Sequence, residues 1–167
     1  MPTTITPYVA AVGVSRMYRL AAGRLLLLGP AGQIYTSDDE GASWDARTSG
    51  TSTPFRSAAR DGTTVIIIGS GITRISTDNG STWTSITGLS TGAASKIFFN
   101  AGRWHVTVGS GGSHTIRTSL TGLSGSWTSQ NLGSGGDLVD LAYDPDAGRW
   151  VAVGADRLIY SDSGTAW

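Results

Sequence analysis

Cysteine is absent from this chain of 167 residues, which excludes a disulfide framework, a thiolate zinc site, an iron–sulfur cluster and a thiol nucleophile. Charge is scarce: Asp, Glu, Lys and Arg make up 14%, against about 25% in ordinary domains. The 12 Lys+Arg balance the 12 Asp+Glu, so a surface that neutralises duplex phosphates is not expected, and no nucleic-acid partner is assigned. Lys96 is the only lysine and Glu40 the only glutamate. Long hydrophobic runs are also missing. The longest, Leu25 to Leu28 and Val65 to Ile68, fall far short of the roughly 20 residues of a membrane helix. They read as buried strands, and no membrane insertion is expected. The opening MPTTITPYVAAVGV has no Lys or Arg before Arg16, so a secretory signal peptide is not expected there and localisation is left open. No stretch sustains apolar residues at helical spacing.

What the chain has is glycine, with 24 residues, and repetition. SDDEGASW ends at Trp44, STDNGSTW at Trp83, SLTGLSGSW at Trp127 and SDSGTAW at Trp167, at intervals of 39, 44 and 40 residues. A second landmark precedes each one: AAGRLLLLG, RDGTTVIIIG, NAGRWHVTVG and DAGRWVAVG, whose turn glycines are Gly23, Gly62, Gly102 and Gly148. Two independent landmarks on one period mark stacked or radial units. The third unit shows the layout: strands at Ser95 to Phe99, Arg103 to Gly109, His114 to Ser119 and Ser126 to Gln130, separated by polar turns. Four antiparallel strands per unit of about 40 residues predict an all-β fold, a small propeller of about four four-stranded blades in one domain.

The pattern Ser-x-Asp-x-Gly-x-x-Trp at Ser37, Asp39, Gly41 and Trp44, and again at Ser76, Asp78, Gly80 and Trp83, resembles the Asp-box or BNR repeat. That motif is typical of sialidase-like propellers, sortilin-type receptor domains, some glucanases, the photosystem II assembly factor family and phage virion proteins. The third copy keeps Trp127 but has Thr121 near the expected Asp. The fourth keeps Asp162, Gly164 and Trp167 and is one residue short between Ser161 and Asp162. The resemblance implies a structural role for these residues, fastening the third strand of a blade to the fourth. The chemistry agrees: Asp accepts backbone N–H groups, Gly takes positive φ, and Trp fills space between sheets.

The expected blades are residues 10–50, 51–90, 91–134 and 135–167, the last lacking its fourth strand. Thr3 to Val9, within residues 1–9, alternates as a strand would. It is expected to close the last blade within the chain, or in trans as part of a homo-oligomer; a fragment of a longer chain is the third alternative.

Catalytic constellations are weak. Gly-Leu-Ser-Thr-Gly at Gly88 to Gly92 spells a nucleophile elbow but lacks the strand-to-helix setting. His105 and His114 are the only imidazoles, and His105 alternates with apolar residues. Asp144-Pro145-Asp146-Ala147-Gly148 opens like a calcium loop without its remaining ligands and reads as a hairpin turn. Gly69 to Gly71 and Gly109 to Gly112 precede strands, so they lack the helix N-terminus of a phosphate cradle. A sialidase, which the resemblance invites, would need an arginine cluster for the substrate carboxylate, a tyrosine paired with a glutamate as nucleophile and an acid aspartate. Arg24, Arg103 and Arg149 instead recur at one place in the repeat, Phe55-Arg56 is followed by Ser57 and Ala58, and Glu40 lies in a box turn. No catalytic residue, metal or cofactor is assigned. Trp104 and Trp150 stand beside Arg103 and Arg149, either packed between blades or exposed as aromatic–cation ligand contacts; Leu25 and Thr64 hold that place in the first two units. The expected function is a non-enzymatic structural or binding module. Its resemblance is to a phage tail or virion component that meets other assembly proteins, or a cell-surface glycan or protein. A sialidase-like carbohydrate-active protein and an assembly chaperone of the photosystem factor type are the alternatives.

Overall fold

The computed structural model describes residues 13, 16–89, 92–110, 113–134, 137–155 and 157–167. The expected closing strand, Thr3 to Val9, lies outside the described residues. Within them the chain is all-β, forming four antiparallel sheets in chain order. Sheet 1 holds β1 (Arg16–Arg19), β2 (Leu25–Leu28), β3 (Ile34–Ser37) and β4 (Asp45–Arg47). Sheet 2 holds β5 (Phe55–Asp61), β6 (Thr64–Gly69) and β7 (Ile72–Ser76). Sheet 3 holds β8 (Ala93–Asn100), β9 (Arg103–Ser110), β10 (Ser113–Ser119) and β11 (Thr128–Ser134). Sheet 4 holds β12 (Leu138–Asp144), β13 (Arg149–Gly154) and β14 (Leu158–Ser161). Each strand pairs with the next in sequence, as hairpins joined by tight turns must. The turn glycines Gly23, Gly62, Gly102 and Gly148 all take positive φ, between 56° and 80°, a conformation that only glycine adopts without cost.

Sheet 2 departs from the expected four strands. Its fourth strand shrinks to one bridge between Ile75 and Thr84. In sheet 3 the fourth strand begins at Thr128, two residues later than the sequence suggested.

Strand register aligns the units more securely than turn spacing does. Leu25, Val65, Trp104 and Trp150 lie opposite Ser37, Ser76, Ser119 and Ser161 respectively. Val65, and not Thr64, is therefore the second unit's counterpart of the tryptophans, because that turn carries one extra residue. From this position, successive residues of the second strand point alternately to opposite sides. Leu26 and Leu28 of sheet 1 meet Val65 and Ile67 of sheet 2. Ile66 and Ile68 meet Trp104 and Val106 of sheet 3. On the far side of sheet 3, Ile116 packs with Trp150 and Ala152 of sheet 4, and the His105 ring stacks on Trp150 at 3.9 Å between centroids. One face of each sheet, here called forward, thus covers the rear face of the next. Val65 to Ile68 are fully buried because sheet 2 is covered on both sides, each side chain contributing about 1.5–3 kcal/mol.

Candidate functional site

The four Trp-ended turns are built alike. In the first, the Ser37 hydroxyl donates to Asp39 Oδ1 (2.7 Å) and accepts the Gly41 N–H (2.8 Å), Asp39 accepts the amide and hydroxyl of Ser43 (2.9 and 2.6 Å), and Trp44 Nε1 donates to the Gly41 carbonyl (3.1 Å). Ser76, Asp78, Gly80, Thr82 and Trp83 repeat this arrangement. The hydroxyl and amide of Ser43 and the hydroxyl of Ser37 hold the Asp39 carboxyl down to about 2. Burial pushes Asp78 up, but the Thr82 hydroxyl and amide, with Ser76 and Ser81, outweigh it and bring it to about 2 as well. In the third turn Ser119 Oγ accepts the Gly122 N–H (2.8 Å) and Trp127 Nε1 donates to the Gly122 carbonyl (3.2 Å), so the frame persists without the carboxylate.

The fourth turn corrects the sequence reading of Asp162. Gly164 and Trp167 keep their places, with Gly164 N–H on Ser161 Oγ (2.8 Å) and Trp167 Nε1 on the Gly164 carbonyl (3.3 Å). Ser163 fills the place that Asp39 and Asp78 hold in the first two turns and accepts the amides of Thr165 and Ala166 (3.2 and 3.1 Å). Asp162 lies one residue earlier and pairs with Arg149 at 2.6 Å, as Asp38 pairs with Arg24 at 2.6 Å. Those ion pairs lower the Asp38 carboxyl and raise both arginines. Arg103 makes no such pair among the described residues, because Leu120 stands where the other units have Asp38 and Asp162.

The proposed aromatic contacts need correction too. Trp104 and Trp150 are buried between sheets, so neither ring is open to a ligand; Arg103 and Arg149 flank packing residues. His105 is buried as well. Its Nε2 lies 3.0 Å from the Gly164 carbonyl, and burial, reinforced by the charge of Arg103 and opposed by that carbonyl, pushes its pKa down to about 4. The Asp144 carboxylate accepts the amides of Asp146 and Ala147 (2.9 and 3.2 Å), the chemistry of a turn. Gly88 and Leu89 precede no helix. Among the described residues no three His, Asp or Glu side chains gather where a metal would sit.

The residues that do converge come from the first strand of every sheet. A cavity of about 520 Å³ opens where β1, β5, β8 and β12 approach one another. Arg16 and Tyr18 enter from β1, Arg56 and Arg60 from β5, Lys96 and Phe98 from β8, and Val139 from β12. Bulges interrupt the pairing of these strands, between Phe55 and Ser57 in β5, Ala94 and Lys96 in β8, and Leu138 and Asp140 in β12. A bulge leaves its extra residue outside the ladder and turns the strand; Arg56 and Val139 are such residues, and both line the cavity. Lys96 Nζ contacts Asp140 (3.0 Å) and lies 5.1 Å above the Phe98 ring. Arg60 Nε donates to the Arg19 carbonyl (3.2 Å). Four cations thus face one space with no carboxylate in its lining, in a chain of zero net charge. Sequence reasoning missed this site, since only the convergence of four strands brings these residues together.

No protein-family model and no curated protein sequence matches the chain. Solved structures do. YCF48 bound to D1 peptide matches at 21% identity with a TM-score of 0.63, over 86% of this chain and 47% of that one. The GH74 xyloglucanase from Xanthomonas campestris matches at 18% and 0.69, over 94% and 29%. The computationally designed Ika4 protein matches at 12% and 0.73, over 96% and 98%. The chain folds as a β-propeller. Its four sheets are blades, and the cavity lies where their innermost strands meet. The chain spans about half the length of the YCF48 it matches.

Proposed function

We propose that this propeller is a non-enzymatic binding module whose cavity takes an acidic segment of a protein partner. The observation that carries the reading is the set of Arg16, Arg56, Arg60 and Lys96 around one space lined by Tyr18 and Phe98. Cations in a recess between low-dielectric walls focus a positive field that attracts carboxylates, and arginine grips them through two parallel hydrogen bonds. A propeller neighbour holding a peptide, YCF48 with D1 peptide, supports protein binding as a use of this fold. Most glycosidases flank the scissile bond with a pair of carboxylates and a sialidase pairs its tyrosine with a glutamate, whereas the cavity lining holds no carboxylate. The turns read as Asp-boxes that hold the scaffold rigid around the cavity. A phage tail or other virion assembly is proposed as the setting, on the sequence resemblance of its short repeats alone.

The test is fluorescence anisotropy with a short labelled poly-glutamate peptide. Binding should weaken steeply with salt, since exposed charges are screened within about 10 Å at 0.1 M. Arg16→Ala with Arg56→Ala should weaken it about tenfold, equivalent to about 1.4 kcal/mol. Equal affinity for a neutral peptide of the same length, or turnover of a fluorogenic glycoside, would overturn the reading.

A further inference from the structure

Among the described residues, two sheet faces meet no other sheet. In the third strand of each sheet the forward row reads Ile34 and Thr36, Thr73 and Ile75, Ile116 and Thr118, none more than 7% exposed. The same row in sheet 4 is Leu158 and Tyr160, exposed by 66% and 55%, beside Val151 and Val153, which are also partly open. On the rear face of sheet 1 Leu27 is 5% exposed, and the opening lies on the first strand. Ala58, Ile97 and Leu141 occupy one position in the first strands of sheets 2, 3 and 4, paired with Ile67, Val106 and Ala152, and are 8%, 2% and 2% exposed. Their counterpart Met17, paired with Leu27, is 62% exposed. The box tryptophans follow the same rule: Trp83, Trp127 and Trp167 each pack against the core shared with the preceding sheet, while Trp44 joins no described core. Among the described residues, no core cluster joins sheet 4 to sheet 1.

We propose that a second copy of this chain covers both faces, closing a two-fold ring of eight blades. All three internal interfaces join a forward face to a rear face, and the described residues leave one of each uncovered. Such a head-to-tail contact either closes or grows without limit. Two copies are the smallest closed ring that such a contact allows, and the described faces of one chain supply both of its sides. Apolar sheet faces of this kind are the ordinary material of association. The second copy brings its own Arg16, Arg56, Arg60 and Lys96 to the same axis, doubling the cations around the cavity.

Light scattering on the chromatographed chain tests this. The expected mass is about twice the 17.3 kDa of one chain, independent of concentration. Leu158→Glu and Met17→Lys, both at exposed positions of a single chain, should each raise the dimer dissociation constant about a hundredfold, since each buries an unpaired charge, and leave the circular dichroism spectrum unchanged. Mixing the two variants should restore the dimer: one contact then carries both substitutions as an opposite-charge pair, and the other is unaltered. A mass of one chain for the unaltered protein, a mass that keeps rising with concentration, or a dimer indifferent to both substitutions would overturn the proposal. Peptide binding by a single-chain species would leave the binding reading intact while removing this one.

Discussion

Acidification should loosen the contact between the third and fourth blades before it touches the turns. His105 is fully buried, stacked on Trp150, with Nε2 against the Gly164 carbonyl and Nδ1 without a hydrogen-bond partner. Protonation would put a charge into a dry interface, a cost that the backbone around the ring offsets only in part. Its pKa is accordingly held near 4, against 6.5 in the unfolded chain. Between those values the unfolded state binds the extra proton, so stability is complete above pH 6.5 and falls as the pH drops towards 4. A shift of this size corresponds to roughly 3 kcal/mol at about 1.4 kcal/mol per pH unit, a large share of the 5–15 kcal/mol typical of a domain. Urea denaturation at a series of pH values between 7 and 4 measures the loss, and the ring resonances of His105 report its midpoint directly. His105→Gln should flatten the slope in this window. A stability flat down to pH 4, or a slope that survives His105→Gln, would refute the reasoning. The carboxylates act in a separate, lower window: Asp39 and Asp78 titrate near 2 against 3.8 unfolded, so the stability they supply is present above 3.8 and is lost as pH falls through 2.

Two substitutions test the turn chemistry. Asp78→Ala removes the acceptor of the Ser81 and Thr82 amides (3.0 and 2.8 Å) and of the Thr82 hydroxyl (2.6 Å), and should cost about 1–2 kcal/mol in urea denaturation, as loss of a capping side chain does. Gly122→Ala would place a Cβ 2.6 Å from Ile66 Cδ1 and 3.1 Å from Trp104 Nε1 at a φ of +75°. It should cost about 2–4 kcal/mol by combining backbone strain with overpacking. Gly62→Ala, with a positive φ but open space around it, should cost only about 1–2 kcal/mol; equal losses at the two glycines would show that packing contributes nothing.

Much of the fold was legible because its determinants are local. The turn glycines, the apolar runs that became β2 and much of β6, and the Ser-x-Asp-x-Gly-x-x-Trp spacing each act within about ten residues. Errors arose where register decides. The extra residue after Gly62 hid the equivalence of Val65 with Trp104, and the shortened fourth turn made Asp162 resemble Asp39 and Asp78 when Ser163 takes that place. Burial of Trp104 and Trp150 was one of two open readings, since alternation along a strand assigns a face but not what covers it.

The cavity was illegible for a different reason, which bears on how the protein recognises a partner. Register aligns Arg16, Ser57, Lys96 and Asp140 as one position in the four units, opposite Leu28, Ile68, Thr107 and Val153. The partners on the second strand are mostly apolar, because they fill the space between sheets. The first-strand position holds two cations, a hydroxyl and an anion: Ser57 is buried and accepts the Ile97 N–H of sheet 3 (3.2 Å), Lys96 meets Asp140 of sheet 4 (3.0 Å), and Arg16 is exposed. Repetition is enforced by packing and relaxed where packing ends, so the units diverge in the column from which Arg16 and Lys96 reach the cavity. A repeat-finding scan discards that column as noise. In a propeller it is where one module is told from another, and substitution of the exposed Arg16 should change binding with little effect on stability.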